Sequence, residues 1–272
     1  MKAWLEIFSA KNKSSGRERM LNIVIPMAGA GSRFAKAGYT DPKPLIRVHD
    51  VPMIRLVIEN LRPSEEHRFI FICQAEHIAA YGLTALLEVW APGCKIVALN
   101  GLTEGAACTV LAAKDFIDTD DALMIANSDQ YVDVSVDTYV DQLSKHDLDG
   151  LIMTMTADDP KWSFVGFDAA GKVNRVVEKE VISHEATVGI YNFRRGCDFV
   201  RAAESMIDKD LRVNGEFYVA PAYNQLIDEG QLIGVHNVGS EGAGMYGLGI
   251  PNDLDAFLAH PVSNRAVEAM RS

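Results

Sequence analysis

Ile23-Val-Ile-Pro-Met-Ala-Gly-Ala-Gly-Ser-Arg-Phe34 is the stretch that decides how this chain folds. It opens on a short β-rich run of apolar residues, which reads as a strand, and runs directly into a loop holding Gly29 and Gly31. Such a loop lets backbone N–H groups turn toward a phosphate chain without interference from a Cβ, and Arg33 adds a forked donor for its oxygens. It is not the Walker pattern, because no Gly-Lys-Ser/Thr closes it. It is not the dinucleotide fingerprint either, since Phe34 stands where the third glycine of G-x-G-x-x-G would fall. A tight strand-to-helix turn with no ligand is the plainer alternative.

Further along, Asp41-Pro-Lys-Pro-Leu-Ile46 places prolines on both sides of Lys43, which predicts an extended, stiff segment. A cation fixed in this way suits charge on a transferred phosphoryl group; a surface lysine in a Pro-rich turn is the bland alternative.

Outward from this stretch the chain alternates. β-rich runs at Asn22 to Pro26, Arg68 to Cys73, Lys95 to Leu99 and Ala122 to Ala126 are separated by helical apolar spacing at Pro52 to Leu61 and Ala79 to Trp90. Alternation of this kind implies an α/β fold: a mixed, mainly parallel central sheet with helices on both faces. The rhythm changes after Gly150. Leu151 to Thr156 reads as a strand, Ser163 to Asp168 and Lys172 to Glu178 as a hairpin, and Ala186 to Phe193 as another strand. Helices are expected at Gly196 to Ile207 and Glu216 to Glu229, then a strand near Gln231 to Val235 and a C-terminal helix from Asn252. Residues 1–19 are polar without apolar period and read as a peripheral or disordered extension, with Met20 an alternative start.

Composition sets the outer bounds. Of 272 residues, 48% are hydrophobic and 23% charged, the balance of a globular protein with a sizeable core. The 37 acidic residues against 26 basic ones give a formal charge of −11, which argues against nucleic acid or a membrane surface as partner. An anionic ligand must then be held by a local cluster of positive groups. The 4 cysteines form no C-x-x-C pair and read as interior, and no apolar run reaches the length of a membrane span; a cytoplasmic location is the expectation.

The pairing of A-G-x-G-x-R with a following P-K resembles the sugar-phosphate nucleotidylyltransferases, the pyrophosphorylases that make nucleotide sugars and related activated head groups. The likeness runs over most of Leu21 to Leu258 and implies a single domain over 20–272 in a Rossmann-like, GT-A-like fold, with a nucleotide-binding half at 20–134 and an acceptor-binding half at 135–260. It is to a short form of the family without a C-terminal β-helix. By resemblance, Ala28, Gly29, Ala30, Gly31, Ser32 and Arg33 wrap the triphosphate and Lys43 contacts the phosphates. Gly105, in Glu104-Gly-Ala-Ala107, belongs to the segment that reads the base, and Asn100 is the amide at its edge, which suits a pyrimidine. A strand-end turn with Gly101 is the other reading of Asn100. Asn127-Ser-Asp129 follows a buried-looking run, so Asp129 emerges at the carboxyl end of a strand, where the family holds Mg²⁺. Glu178 and Lys179 inherit acceptor-hydroxyl and acceptor-phosphate roles. Thr187 to Tyr191, with Gly189 and Tyr191, and Gly215 to Tyr218, with Glu216, match segments lining the acceptor pocket, though their aromatics read equally as core.

The match fails at one place. The family's W-x-D-x-G-T-P-x-D-L, whose first aspartate is the second metal ligand, is here Met245-Tyr-Gly-Leu-Gly-Ile-Pro-Asn-Asp-Leu254, with Gly247 at the aspartate position. Asp253 is placed to start or charge the C-terminal helix. Asp129 with the phosphates alone, or a substitute such as Asp133 or Glu216, is then needed. The expected reaction is condensation of an NTP with a sugar 1-phosphate or similar acceptor, releasing pyrophosphate, for surface polysaccharide or cell-envelope precursors. Arg33, Lys43 and Lys179 carry the charge. A metal-dependent glycosyltransferase and a non-catalytic nucleotide-binding regulator are the rivals, and a homo-oligomer is left open.

Overall fold

The computed structural model describes residues 20–268 and Met270; the expected extension at 1–19 lies outside them. The strands are β1 (Leu21–Pro26), β2 (Arg47–Val48), β3 (Val51–Pro52), β4 (His67–Gln74), β5 (Lys95–Leu99), β6 (Ala122–Ala126), β7 (Gln130–Val132), β8 (Gly150–Thr156), β9 (Ser163–Phe167), β10 (Val173–Glu178), β11 (Glu185–Phe193), β12 (Ile233–Glu241) and β13 (Gly244–Gly247). All but the small β2–β3 ribbon belong to one mixed sheet, ordered β5-β4-β1-β6-β11-β8-β12-β13-β7, with the β9–β10 hairpin attached through β11.

The block β5-β4-β1-β6 is parallel, and β11 joins it antiparallel to β6 and continues antiparallel to β8. Alternation along the central strands sends side chains to two cores. Ile23, Ile25, Phe69, Phe71 and Met124 face one; Val24, Ile70, Ile72, Leu123 and Ile125 face the other. Helices cover both faces, Met53–Leu61 and Leu83–Trp90 on the first, Gly196–Asp208 and Tyr223–Asp228 on the second. Continuous apolar strands are the consequence of burial on both sides.

A third core explains Phe34. It packs with Ile46, Val48, Met53, Tyr246, Leu248, Leu254 and Phe257, joining the segment after the glycine loop to β13 and the C-terminal helix Pro251–Ala259. A residue that departs from the dinucleotide fingerprint is therefore the anchor that brings residues 31–46 against residues 245–257.

Several elements depart from expectation. The helix expected over Ala79 to Trp90 is two, Ala75–Tyr81 and Leu83–Trp90, because Gly82 takes φ 60 between them. The expected helix over Glu216 to Glu229 starts late. Asn214 and Gly215 take φ 50 and 81, Glu216 closes a turn with Val213, and regular helix runs only over Tyr223–Asp228. Lys43 is not in an extended segment but begins a 3-10 turn, Lys43–Leu45, with Pro44 buried at its second position. The strand near Gln231 runs on to Glu241, a second C-terminal helix spans Pro261–Glu268, and the short β7 and β13 carry too few residues to show a period. Only Cys73 of the thiols is fully buried, and burial pushes it up to about 12; Cys94, Cys108 and Cys197 are half-buried.

Candidate active site

Gly31 has φ 59 and precedes the short helix Ser32–Lys36. An ideal Cβ on it would lie 3.6 Å from Lys43 Cβ, so the glycine loop runs directly against the lysine expected to share its phosphates. Gly29, Ala30, Ser32 and Arg33 are exposed. Behind the loop sits a residue that sequence reasoning missed. Gln74, buried at the end of β4, donates from Nε2 to the carbonyls of Ala28 (2.6 Å) and Gly101 (3.0 Å), and its Oε1 accepts from the Gly101 amide at 3.1 Å. One amide thus ties the phosphate loop to the turn after β5 that carries exposed Asn100. A polar residue ending an apolar strand was the available signal.

Asp129 follows β6, as expected. Its Oδ2 accepts from Lys43 Nζ at 2.7 Å. Asp133 is committed elsewhere, to Arg265 at 2.6 Å. Across the sheet, β13 pairs with β7 so that Gly247 lies opposite Gln130, and the Leu248 amide donates to the Asp129 carbonyl at 2.8 Å. A cavity of about 620 Å³ opens here, lined by Arg33, Asn127, Asp129, Gln130, Lys161, Trp162, Gly247 and Asp253 among others. Burial raises the Asp253 carboxyl, as do Glu241 and Asp129, while Lys161 and Arg33 oppose them.

A second cavity, about 240 Å³, shares Asn127, Lys161 and Trp162 with the first and is otherwise lined by residues such as Ser163, Glu178, Thr187, Gly189, Tyr191 and Tyr218. Glu178, at the end of β10, is buried with one oxygen accepting from Ser163; desolvation raises its carboxyl, against the pull of that hydrogen bond and of Lys179. The Tyr191 hydroxyl meets Thr187 at 3.0 Å, and burial raises it. Lys179, at φ 59, donates to the Tyr218 hydroxyl at 2.8 Å with its ammonium over the ring, and that bond is the main reason it holds its proton more firmly. Gly189 has a spatial reason to be glycine. A Cβ there would lie 2.1 Å from Asn127 Nδ2, so its absence lets Asn127 stand between the cavities.

Of the expected residues, Arg33, Asn127 and Asp129 line the larger cavity and Asn127, Glu178, Gly189 and Tyr191 the smaller one; Lys43, Lys179, Gly105, Asn100, Glu216 and residues 28–32 line neither. Gly105, at φ 136, has the Phe217 backbone against its α-carbon, where a Cβ would lie 2.4 Å from the Phe217 oxygen. The Phe217 amide donates to Glu104 and its carbonyl accepts from Ala107, so this glycine lets two loops cross and docks Tyr218 beside Lys179. Glu216 lies close enough to Glu178 and Lys179 to raise both. Lys161 and Trp162, the shared wall, were not foreseen. Lys161 Nζ stands 4.8 Å over the Trp162 ring and pairs with Glu241 at 3.1 Å. Trp162 Nε1 and Gln130 Nε2 are buried donors without a partner among the described residues. Buried donors are costly to leave unpaired, and both residues line the larger cavity.

No group of three or more His, Cys, Asp or Glu side chains able to hold a metal occurs among the described residues. Asp129 and Asp253 are the carboxylates that line the larger cavity, a donor set of the one or two carboxylates with which Mg²⁺ is held beside phosphates and water.

Arg33, Asp129 and Asp253 in the larger cavity, and Glu178 in the smaller one that meets it at Asn127, define an α/β protein with a two-part polar cleft at the carboxyl end of its parallel strands. Residues 23–220 match the nucleotidyl transferase family model, and the chain belongs to that family. It is similar to a nucleoside-diphosphate-sugar pyrophosphorylase from Vibrio cholerae, with TM-score 0.75 at 28% identity over 88% of this chain and 100% of that one. A UDP-glucose pyrophosphorylase complexed with UDP-glucose shares the fold, with TM-score 0.70 at 14% identity over 92% of this chain and 99% of that one. In sequence it is 25% identical over 226 residues to the low-salt glycan biosynthesis nucleotidyltransferase Agl11 of Haloferax volcanii, covering 79% of this chain and 59% of that protein. Against the bifunctional protein GlmU of Methanococcus maripaludis it is 23% identical over 221 residues, 79% of this chain and 49% of that one. The chain therefore spans about half the length of these curated relatives. No helix among the described residues is long and apolar enough to cross a membrane.

Proposed function

We propose that the protein transfers a nucleotidyl group from an NTP to a phosphorylated small-molecule acceptor, such as a sugar 1-phosphate, with release of pyrophosphate. The observation that carries this reading is the divided cleft, with Lys43 and Asp129 in contact beside the larger cavity and Glu178 in the smaller one. In-line attack of an acceptor phosphate oxygen on the α-phosphorus needs positioning and charge neutralisation more than a protein nucleophile. The glycine loop and Arg33 hold the triphosphate and take up charge on the leaving pyrophosphate. Lys43 stabilises the transferred group. Glu178 accepts from acceptor hydroxyls in the smaller cavity, and Lys179, held beside it by Tyr218, meets the acceptor phosphate. Mg²⁺, when bound at Asp129, supplies charge neutralisation on the phosphates. Asn127, between the cavities, fixes where the two ligands meet.

Asn100, exposed beside the Gln74-held Gly101, favours a pyrimidine base. The glycan-biosynthesis name of the Haloferax relative supports a role in supplying activated precursors for surface polysaccharide or cell envelope. The test is a pyrophosphate-release screen across the four NTPs and a panel of phosphorylated acceptors. Release that needs both one NTP and one acceptor is the expected result. Tight nucleotide binding with no release from any acceptor would indicate a regulator instead, and sugar transfer from a nucleotide sugar would indicate a glycosyltransferase.

A further inference from the structure

Gly247 stands where the family pattern has a carboxylate, and the space in front of it is filled. An ideal Cβ on Gly247 would lie 3.3 Å from Asp253 Oδ2 and 3.8 Å from Asp253 Cγ. An aspartate at 247 would thus send its side chain into the position that the Asp253 carboxylate occupies. The Gly247 backbone is not in the left-handed region, so conformation does not demand glycine there. What glycine provides is room. Gly249 repeats the relation on the other carboxylate, since its Cβ would lie 2.8 Å from Asp129 Oδ2. Two residues without side chains, one against each of the carboxylates that line this cavity, thus flank Leu248, whose amide donates to the Asp129 carbonyl.

Two further observations indicate a ligand between them. Asp253, in the first turn of the helix Pro251–Ala259, makes no side-chain hydrogen bond or close ion pair like that of Asp129 with Lys43 among the described residues; Lys161 and Arg33 act on it through their charge alone. Gln130, 4% exposed and lining the same cavity, has its Nε2 unpartnered. A cation between the carboxylates, with a phosphate oxygen of its ligand accepting from Gln130 Nε2, would satisfy both.

Resting on the reading of the cleft as a nucleotidyl-transfer site, the geometry points to Asp253 as the second carboxylate for the divalent cation, moved from the strand position 247 to the first turn of the following helix. Asp133 and Glu216 are not the substitute: one is bound to Arg265, and the other lies beside Glu178 and Lys179.

The experiment is Mn²⁺ binding followed by electron paramagnetic resonance, with the metal alone and then with the NTP selected by the pyrophosphate screen. Asp253→Asn should weaken the Mn²⁺ Kd by about tenfold or more, as loss of a charged ligand does. Asp255→Asn, an exposed carboxylate on the same helix, should leave it unchanged. The double variant Gly247→Asp/Asp253→Ala, which also vacates the space in front of residue 247, should recover most of the affinity by returning the carboxylate to the strand. Unchanged Mn²⁺ affinity in Asp253→Asn overturns the inference, and so does a loss that Gly247→Asp fails to recover, because Asp253 would then act through the helix. Thermal melts of each variant separate loss of binding from loss of fold. Mn²⁺ binding that depends on Asp253 in a protein releasing no pyrophosphate would leave the cation site standing and sink the transfer reading.

Discussion

Lys43 holds Asp129 at 2.7 Å, with the two side chains 24% and 22% exposed. A partly exposed pair of this kind contributes about 0–1 kcal/mol to folding, so its value lies in chemistry rather than stability. Lys43→Met should leave the melting temperature nearly unchanged and lower kcat by about 10²–10³, the usual scale for removing one preorganised charge from a transition state. Turnover close to wild type, read by pyrophosphate release, would remove Lys43 from the mechanism. Glu178 gives the opposite case, a carboxyl whose raised pKa comes first from desolvation. A carboxyl with its folded pKa above the unfolded value favours the folded state while protonated. That contribution is complete below the unfolded pKa and is lost as pH rises through the folded one. Glu178→Gln keeps the shape and the Ser163 hydrogen bond but does not ionise. Its melting temperature relative to wild type should therefore climb as pH goes from about 4 to about 8, and a difference independent of pH would mean that Glu178 is charged without penalty.

Between elements, three glycines of the site do different work. Gly105→Ala would put a methyl 2.4 Å from the Phe217 oxygen at φ 136, and should cost about 2–4 kcal/mol in urea denaturation through overpacking and backbone strain. Gly189→Ala meets Asn127 in the same way. Gly29→Ala has nothing within 4 Å and should leave stability unchanged, while raising KM for the NTP if the loop is as close to the phosphates as proposed. The first residues of the chain's α/β half were legible because their strands are buried on both faces and their loops carry glycine and proline. Asp129 was legible for the same reason, at the end of the apolar run Ala122 to Ala126. Gln74, Gln130, Lys161 and Trp162 were not, because each matters through a neighbour far away in sequence: Gln74 through Ala28 and Gly101, Lys161 through Glu241. Asp253 was read as a helix-start residue, which its place in the Pro251–Ala259 helix bears out, but its facing Gly247 depends on how β13 packs under that helix. The helix expected from Glu216 failed because a docking contact with Glu104 and Ala107 outweighed the local spacing.

At the scale of the whole molecule, a chain of net charge −11 would attract the proposed polyanion against its own field, and the cations nearest the cleft, Arg33, Lys43 and Lys161, come from segments distant in sequence. The cleft follows the seam of the sheet. The parallel block ending at β6 supplies Arg33, Asn127 and Asp129, while β9, β10 and β11, joined to it through the antiparallel β6–β11 pairing, supply Ser163, Glu178, Gly189 and Tyr191. Two ligands approaching from opposite sides of this seam should leave separate signatures in backbone hydrogen exchange. An NTP with Mg²⁺ should slow exchange at residues 28–34 and 101–106, the loops joined by Gln74, and leave residues 178–191 and 215–220 unchanged. Adding the acceptor should extend protection to those last segments and to residues 161–164, whose Lys161 and Trp162 face both cavities. Ordering by ligand raises the free energy of local opening, so protection reports which segments each ligand closes. If the NTP alone protected residues 178–191 as fully as both ligands together, the smaller cavity would belong to the nucleotide, and the division of the cleft at Asn127 would no longer separate donor from acceptor.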